Sequence, residues 1–549
     1  MLFSSLAERV KNSYLLFIVF ITANTLKYTI FSLWLADAKA DWYIGKFFFV
    51  LAFLYLVWLL VFRFLPRYAW TVLYVLQGLF IFAHISYYSY FHEVLNILFQ
   101  VRNILEAIAL VPGLAIPLDS ALFILIIDVP FFILMLRNFK RGSLHKKFIM
   151  ISGGCMLLLF AVIQYVFYVD EPFTRKDKFM PIDEKDIVVC YGFTAHNIYY
   201  FLKTGSEKEM IDRIRYGTAR KYTAEEQYNF ILIQCESLQS GILEVKYKGK
   251  LVMPELNRLS RQAVYYPFLF SYHMAGHSSD CEIAVMDNFE PFARFPTITL
   301  KSLTHSNSFV RIMREQGYAT KTFHNNHARY YGRKTVYPKM GFSRFYDYKD
   351  MGYTSYDWGL PDGPMYDFML DQMKKERGKF FYYCITMTTH GPFTSWRKYS
   401  DTKAYEDITH KYTYNYFNSF AYVDRELSRF IKSALAERKD TVIFVFGDHA
   451  AIASKYIPGP IFYHEGQKLE FVPLLVFGPD EYLKRLKKYE SALSFHDIGP
   501  TILDGAGYTG VYVSIGESLF RDYRAGKVPF RGMQLMRDML YREVSKEIK

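Results

Sequence analysis

A loop with two adjacent serines is the first place in this chain where chemistry can be expected. The stretch reads YHMAGHSSDCE, from Tyr272 to Glu282, and contains Ser278 and Ser279. A serine hydroxyl is a weak nucleophile at neutral pH unless a base or a metal ion activates it. We identify no histidine–aspartate pair close to these serines, so the activating groups must come from elsewhere in the chain.

Three strand-like segments end in residues that could supply those groups. Each segment is apolar and rich in β-branched or aromatic residues. The segments and the ionisable residues that follow them are 230–235 with Glu236, 380–386 with His390, and 441–446 with Asp448 and His449. In open α/β sheets, ligands bind at the carboxyl ends of the strands. We therefore expect these four side chains to converge at one edge of a sheet.

Two carboxylates and an imidazole at such an edge suit a divalent metal ion. Glu236, Asp448 and His449 could hold the ion and leave one position open. The charge of the ion would lower the pKa of a serine hydroxyl placed there. This arrangement predicts a nucleophilic serine that needs no neighbouring base.

Each of these residues also has a structural explanation. An Asp-His pair at a strand end can form a hydrogen-bonded turn, and Glu236 can cap the helix that follows it. Ser278 or Ser279 can be a helix N-cap, with Glu282 in the first turn. Because three strand ends agree, we favour the functional interpretation.

The pattern of strands and helices predicts the domain that positions these residues. From about Tyr228, short strand-like runs alternate with helical patterns, which is typical of a mostly parallel sheet covered by helices. We expect residues 1–170 to form a transmembrane domain, 171–225 a linker with helical segments, and 226–549 an extracytoplasmic α/β catalytic domain.

Long apolar runs are nearly confined to the first 170 of the 549 residues. They predict five membrane-spanning helices, which are 14–35, 47–64, 69–91, 121–136 and 148–169. The fourth is the shortest, and Asp128 followed by Pro130 predicts a kink or a partly re-entrant segment. Lys27, His84 and Asp128 lie within apolar runs, where such residues often have a function. The alternative is that Lys27 snorkels or pairs with Asp128 inside the bundle.

Basic residues predict the orientation of these helices. The N-terminus and the alternate loops that would face the cytoplasm are richer in Lys and Arg than the other loops, so the N-terminus should be inside. Five spans then place the catalytic domain outside the cytoplasmic (inner) membrane of a bacterium. A signal peptide cleaved near 36–38 is disfavoured because the apolar run is long and four more spans follow.

Charge and cysteine content add two expectations. Much of the net charge of +13 comes from the inner loops, the rest can favour contact with anionic lipid, and we find no nucleic-acid-binding motif. Four cysteines fall in the outer domain, where they either form two disulfides or act as small buried hydrophobic residues. They are Cys190, Cys235, Cys281 and Cys384.

The combined motifs resemble the lipoteichoic acid synthase branch of the alkaline phosphatase/sulfatase superfamily. The resemblance rests on Glu236 at the first strand end, the loop His-x-x-Gly-x-Ser-Ser-Asp-x-Glu, the segment Thr-Thr-His-Gly-Pro-Phe and the triplet Gly-Asp-His. It covers nearly the whole chain, including the five spans. It implies a sulfatase-like fold and one divalent cation, with manganese favoured and magnesium or zinc as alternatives.

The resemblance also assigns site residues. It places the metal ligands at Glu236, Ser278, Asp448 and His449, with Ser278 as the nucleophile where the family usually has threonine. Substrate-binding residues fall on Tyr331, where the family has tryptophan, and on Arg333 and His390. Arginine suits bidentate recognition of phosphate.

The resemblance implies transfer of phosphoglycerol from a phospholipid such as phosphatidylglycerol to a glycolipid, polymer or glucan acceptor through a phosphoserine intermediate. One alternative is a phosphoethanolamine transferase acting on lipid A or another envelope glycan, although those enzymes follow Asp-His with Gly-Glu-Ser and this chain has Ala450-Ala451-Ile452. Sulfatase activity fits poorly because Cys281 lacks the Cys-x-Pro-x-Arg context. A hydrolase and a non-catalytic lipid-binding module remain open, as does the oligomeric state.

Overall fold

The molecule was analysed as a computed structural model that describes most of the chain. The described residues are 13–35, 44–91, 95, 120–139, 146–168, 211–223, 226–271, 276–292, 296–353, 359–391, 393–398, 405–408, 411–450, 461–464, 467–487 and 493–521. The chain divides into two compact units. One contains the described residues up to Tyr168, and the other contains those from Ile211 onward.

The first unit is helical. Its helices are α1 (Ser13–Leu35), α2 (Ile44–Phe64), α3 (Arg67–Phe91), α4 (Val129–Asn138) and α5 (Lys146–Tyr168), with a 3-10 helix at Ser120–Ile126. Two stretches among the described residues, Tyr14–Ser32 and Arg67–Ser86, are long and apolar enough to cross a membrane, and Val50–Phe64 is apolar but shorter. The prediction of five spans is therefore not confirmed.

The fourth predicted span is broken, as Asp128 and Pro130 indicated. The 3-10 helix ends at Ile126, and α4 starts at Val129 with proline in its first turn. Lys27 and Asp128 are fully buried, and their Nζ and Oδ1 atoms lie 2.9 Å apart. The structure thus bears out the interpretation that these two residues pair inside the bundle.

The second unit is an α/β domain. Its strands are β1 (Thr218–Thr223), β2 (Asn229–Cys235), β3 (Lys246–Tyr247), β4 (Lys250–Leu251), β5 (Val264–Phe270), β6 (Ala319–His324), β7 (Arg344–Tyr346), β8 (Phe380–Ile385), β9 (Thr441–Gly447), β10 (Ile461–His464), β11 (Gln467–Phe477), β12 (Leu493–Ser494) and β13 (Thr509–Ser514). Its helices are α6 (Pro254–Ser260), α7 (Ser278–Met286), α8 (Phe309–Glu315), α9 (Arg333–Met340), α10 (Asp362–Lys375), α11 (Lys411–Glu437), α12 (Asp480–Arg485) and α13 (Ile498–Gly505).

Nine of these described strands form one sheet in the order β12-β5-β11-β9-β2-β8-β6-β7, with β10 paired to β11. The run β9-β2-β8-β6-β7 is parallel, whereas β11 is antiparallel to its neighbours. The predicted mostly parallel sheet is therefore confirmed. The three strands predicted to carry the site, β2, β8 and β9, lie next to one another.

Both faces of this sheet are buried, which explains the nearly continuous apolar sequences of its central strands. All residues of β2, β8 and β9 are buried. Alternate residues such as Ile231 and Ile233 pack in the cluster formed with α10 and α11. On the other face, the ring of Phe381 lies 5.3 Å from that of Phe309 in α8.

Two further expectations concern the cysteines and the linker. Cys235, Cys281 and Cys384 are free and buried, in line with their interpretation as small hydrophobic residues, while Cys190 lies outside the described residues. Most of the predicted linker at 171–225 also lies outside them. Its last part forms β1, which pairs with β13.

Candidate active site

The candidate metal ligands follow two adjacent parallel strands. Cys235, the last residue of β2, lies opposite Gly447, the last residue of β9. The next residues are Glu236 on one strand and Asp448 on the other, so the strand register itself brings the two carboxylates together. His449 completes the group. One ligand atom from each of these three buried residues lies within 4.8 Å of the other two.

Ser278 joins this cluster from the first residue of α7. Its Oγ donates a hydrogen bond of 3.1 Å to Glu236 Oε2, while His449 Nε2 lies 3.1 Å from Glu236 Oε1. Gln234 connects Ser278 to Asp448, because its Nε2 donates to the Ser278 carbonyl at 3.2 Å and to Asp448 Oδ2 at 3.4 Å. The structure therefore brings together the four residues that the sequence predicted as ligands.

The backbone before Ser278 makes an unusual turn. His277 has φ 48° and ψ −125°, a conformation that costs a non-glycine residue free energy and is typical of functional sites. Ser279 Oγ donates to the Gly276 carbonyl at 2.7 Å, and Asp280 Oδ2 accepts from Gly276 N at 2.8 Å. A Cβ on Gly276 would lie 2.1 Å from Asp280 Oδ1, so any larger residue would displace the Asp280 side chain from this bond.

This turn separates the roles of the two serines. Ser279 ties the start of α7 to the loop, while the hydroxyl of Ser278 points to the carboxylate cluster. The N-cap position is occupied by His277, without a side-chain cap bond. The alternative that Ser278 or Ser279 is the N-cap is therefore wrong, because the helix already begins at Ser278.

Burial of two carboxylates next to each other shifts the pKa values of the residues in this cluster. Burial, and then the charge of Glu236, raise the pKa of Asp448 to about 7. Burial opposes ionisation of Glu236, but the charges of His449 and His390 outweigh it and lower the pKa of that carboxyl. Burial would also neutralise His449, yet the two carboxylates raise its pKa. Two buried carboxylates thus interact with the same imidazole, that of His449.

This donor set fits a divalent cation. His449 Nδ1 lies 2.8 Å from the Ala450 carbonyl, which can only accept a hydrogen bond, so Nδ1 carries a proton and Nε2 points to the carboxylates. Two carboxylates, one imidazole and one hydroxyl suit manganese, magnesium or zinc. A cation here would offset the charge that raises the pKa of Asp448.

Arg333 lies in a buried ion pair beside this cluster. Its Nε lies 3.2 and 3.1 Å from the two carboxylate oxygens of Glu282, and its Nη2 also donates to Glu282. Nη1 lies 3.3 Å from His324 Nε2. Burial opposes the charge of Arg333, but the Glu282 carboxylate outweighs it and raises the pKa of the guanidinium.

The other two predicted substrate residues lie around the same region. Tyr331 has φ 54°, and its ring centroid is 5.2 Å from Arg333 Cζ, so the tyrosine stacks near the guanidinium. His390 is half-buried, with Nδ1 2.7 Å from the Gly391 carbonyl, and its charge acts on Glu236 and His324. The structure therefore places His390 close enough to influence the carboxylate cluster.

Several further residues shape the site and were not predicted from the sequence. Gln234 orients Ser278 and Asp448, and Thr386 accepts a 2.9 Å hydrogen bond from Glu236 N. His324 and Glu282 surround Arg333. His324 is the last residue of β6, so the strand-end argument used for the other residues could have identified it. Glu282 lies four residues after Ser278, on the same helical face.

Comparison with known proteins places this geometry in a family. The sequence model of the family described as Sulfatase matches residues 228–508. The chain is similar to lipoteichoic acid synthase 2 of Bacillus subtilis, with 24% identity over 85% of this chain and 76% of the relative. It is also 25% identical to the lipoteichoic acid synthase of Staphylococcus aureus, over 82% of this chain and 74% of the relative. These relatives confirm the resemblance found in the motifs.

A solved structure has the same fold. The integral membrane lipooligosaccharide phosphoethanolamine transferase A of Neisseria meningitidis matches with a TM-score of 0.60 and 15% sequence identity. The match covers 93% of this chain and 98% of that protein. At this identity the likeness concerns the fold alone.

Proposed function

Because the chain belongs to the sulfatase family, we propose that it is a membrane-anchored, metal-dependent phosphotransferase. It moves a phosphoglycerol group from a phospholipid such as phosphatidylglycerol to a hydroxyl of a glycolipid, polymer or glucan. One observation carries this proposal: the hydroxyl of Ser278 lies 3.1 Å from Glu236 in a buried group that also contains Asp448 and His449. The names of the two synthases support the choice of group.

The first step forms a covalent intermediate. Ser278 Oγ loses its proton and attacks the phosphorus, the bond between phosphorus and the diacylglycerol oxygen breaks, and the released alkoxide takes up a proton to give diacylglycerol. Glu236, Ser278, Asp448 and His449 would hold the divalent cation, manganese in our proposal. When bound, this cation lowers the pKa of a coordinated hydroxyl and stabilises negative charge on the phosphoryl oxygens.

The second step regenerates the serine. The acceptor hydroxyl loses its proton and attacks the same phosphorus, the bond to Ser278 Oγ breaks, and the serine oxygen takes up a proton. Arg333 binds the phosphate in both steps, and the aromatic ring of Tyr331 packs against the head group. His390 is placed to donate a proton to the leaving oxygen.

Five membrane spans and an outer catalytic domain belong to the same proposal. Support comes from the apolar helices of the first unit and from the fold shared along nearly the whole chain with an integral membrane protein. The N-terminus is cytoplasmic, and the donor lipid lies in the cytoplasmic membrane beside the catalytic domain.

The test is release of diacylglycerol by the purified full-length chain in phosphatidylglycerol vesicles with manganese. We expect Ser278→Ala to lower the rate by roughly a thousandfold or more. The matched control is Ser279→Ala, which removes the neighbouring hydroxyl and should keep the rate within about tenfold. Undiminished lipid cleavage by a folded Ser278→Ala variant would refute the assignment. Release from phosphatidylethanolamine instead would favour the phosphoethanolamine transferase.

A further inference from the structure

The ion pair between Glu282 and Arg333 connects the helix of Ser278 to the proposed phosphate-binding residue. Glu282 is on α7, one turn after Ser278, and residues four apart on a helix have Cβ atoms about 6 Å apart. The same helix therefore holds the proposed nucleophile and the partner of the proposed phosphate-binding residue. Both side chains of the pair are at most 2% exposed.

Glu282 engages a single edge of the guanidinium. It accepts from Nε and Nη2, and Tyr337 OH donates 2.6 Å to its Oε2. His324 takes one donor of Nη1. A guanidinium has five N–H donors, and Glu282 and His324 together engage three of them. The edge between Nη1 and Nη2 is not the edge that Glu282 occupies, and such an edge suits two oxygens of one phosphate group.

The carboxylate also cancels the charge of this arginine. A buried guanidinium without a counter-ion would attract a doubly charged phosphomonoester more strongly than a singly charged phosphodiester. Paired with Glu282, Arg333 keeps its hydrogen-bond geometry, but the pair is neutral. The pocket then gains little from a second negative charge on the ligand.

We propose that Glu282 is a positioning residue that, through Arg333, makes the site select singly charged phosphodiesters over doubly charged phosphomonoesters. The inference rests on the proposed function, because it takes Arg333 as the phosphate-binding residue. It adds a determinant of substrate class: the ligand is chosen by the charge of its phosphate as well as by its head group.

The experiment measures binding without turnover, in full-length Ser278→Ala protein with manganese. The probes are glycerophosphoglycerol, a diester, and glycerol phosphate, a monoester, at about pH 8, above the second phosphate pKa of about 6. Glu282→Gln leaves the guanidinium uncompensated, so the ratio of the two dissociation constants should shift toward the monoester by about tenfold or more. Arg333→Gln leaves the carboxylate uncompensated and should shift the ratio toward the diester.

The double variant Glu282→Gln/Arg333→Gln restores a neutral pair. It should bind both probes more weakly than the parent but with the parent ratio. It also keeps the test valid if one single variant fails to fold, since removal of both charges leaves no buried unpaired ion. The remaining single variant and the double variant still have different expected ratios.

The matched control is Glu376→Gln. Glu376 likewise accepts from one basic residue and one tyrosine, Lys321 and Tyr382, but Lys321 lies toward the middle of β6 and not at its carboxyl end. This variant should keep the parent ratio. If the ratio stays within twofold of the parent in Glu282→Gln, the role of Glu282 is refuted while the proposed function stands. If neither probe binds the parent, the proposed function fails and this inference fails with it.

Discussion

At the level of single residues, the proposed activation of Ser278 depends on the carboxylates of Asp448 and Glu236. The two carboxylates are buried side by side, and burial together with the charge of Glu236 raises the pKa of Asp448 to about 7. A divalent cation removes this repulsion. The same negative charge would favour the binding of a divalent cation between Glu236 and Asp448.

Replacement of Asp448 by asparagine should therefore remove bound metal without unfolding the chain. The asparagine oxygen can still accept from Ser237 N and His449 N, as Asp448 Oδ1 does at 2.9 Å. We expect manganese affinity to fall by at least about a hundredfold, measured by metal analysis after dialysis. The control is Asp440→Asn, a partly exposed carboxyl near the start of β9. Full metal content in Asp448→Asn would contradict the assignment.

The buried imidazole of His324 should make the stability of the folded chain depend on pH. Its Nε2 faces the Arg333 guanidinium, and its Nδ1 lies 3.0 Å from the Ile385 carbonyl, which together require the neutral tautomer protonated at Nδ1. Burial, and then the charge of Arg333, lower its pKa from 6.5 to about 3. Below pH 6.5 the unfolded chain binds a proton that the folded chain does not.

The free energy of unfolding should thus decrease as the pH falls from about 6.5 toward 3. Above pH 6.5 His324 is neutral in both the folded and the unfolded chain, so its destabilising effect should be absent there. His324→Gln removes the titrating group, so its unfolding free energy should fall less steeply than that of the parent over this range. Denaturant unfolding at a series of pH values measures the two slopes. Equal slopes would show that His324 titrates normally in the folded chain.

The sequence was sufficient to predict the four residues of the cluster but not their surroundings. Glu236, Asp448 and His449 follow directly on long apolar runs, and this abrupt change to ionisable residues is visible without a structure. Glu282 and Gln234 lack such a signal. Glu282 could equally be a first-turn acid of a helix, and its role depends on Arg333, 51 positions away.

Among the elements of the helical unit, the break between the 3-10 helix and α4 has a clear cause. Pro130 cannot donate a backbone hydrogen bond and fits only the first turn of a helix. Asp128 at the break accepts from Lys27, from Tyr74 OH at 2.7 Å and from Asn24. This polar group ties the broken segment to α1 and α3.

The ion pair between Lys27 and Asp128 predicts that a single substitution destabilises the unit more than a double substitution does. Asp128→Leu leaves the Lys27 charge buried and should destabilise the unit by about 3 kcal/mol or more. In the double variant Lys27→Met/Asp128→Leu no unpaired charge remains, so much of that loss should be recovered. Thermal unfolding of the full-length chain in detergent compares the variants. A double variant less stable than Asp128→Leu alone would contradict this explanation.

The central sheet was more predictable than its edges. β2, β8 and β9 are continuous apolar runs buried on both faces, and their prediction is confirmed. β1 was assigned to the linker, because Thr218–Thr223 is a polar sequence that becomes a strand only by pairing with Thr509–Ser514. A pairing between segments so far apart in the chain has no local sequence signal.

At the scale of the whole molecule, the proposed function requires the catalytic unit to lie outside the cytoplasm. The long apolar runs predict five spans, and the excess of Lys and Arg in alternate loops predicts a cytoplasmic N-terminus. A reporter enzyme that is active only outside the cytoplasm should be active when fused after Lys549 and inactive when fused after Asn138. Activity in both fusions, or in neither, would contradict the predicted topology.

The central claim is that Ser278 carries the transferred group, and one measurement tests it most directly. The full-length chain is incubated with phosphatidylglycerol and manganese without an acceptor, digested, and the peptide containing Ser278 is analysed by mass spectrometry. We predict an added phosphoglycerol group on Ser278, absent after chelation of the metal and absent in Ser278→Ala. An unmodified Ser278 peptide from protein that is releasing diacylglycerol, or a phosphoglycerol group on another residue, would contradict the account.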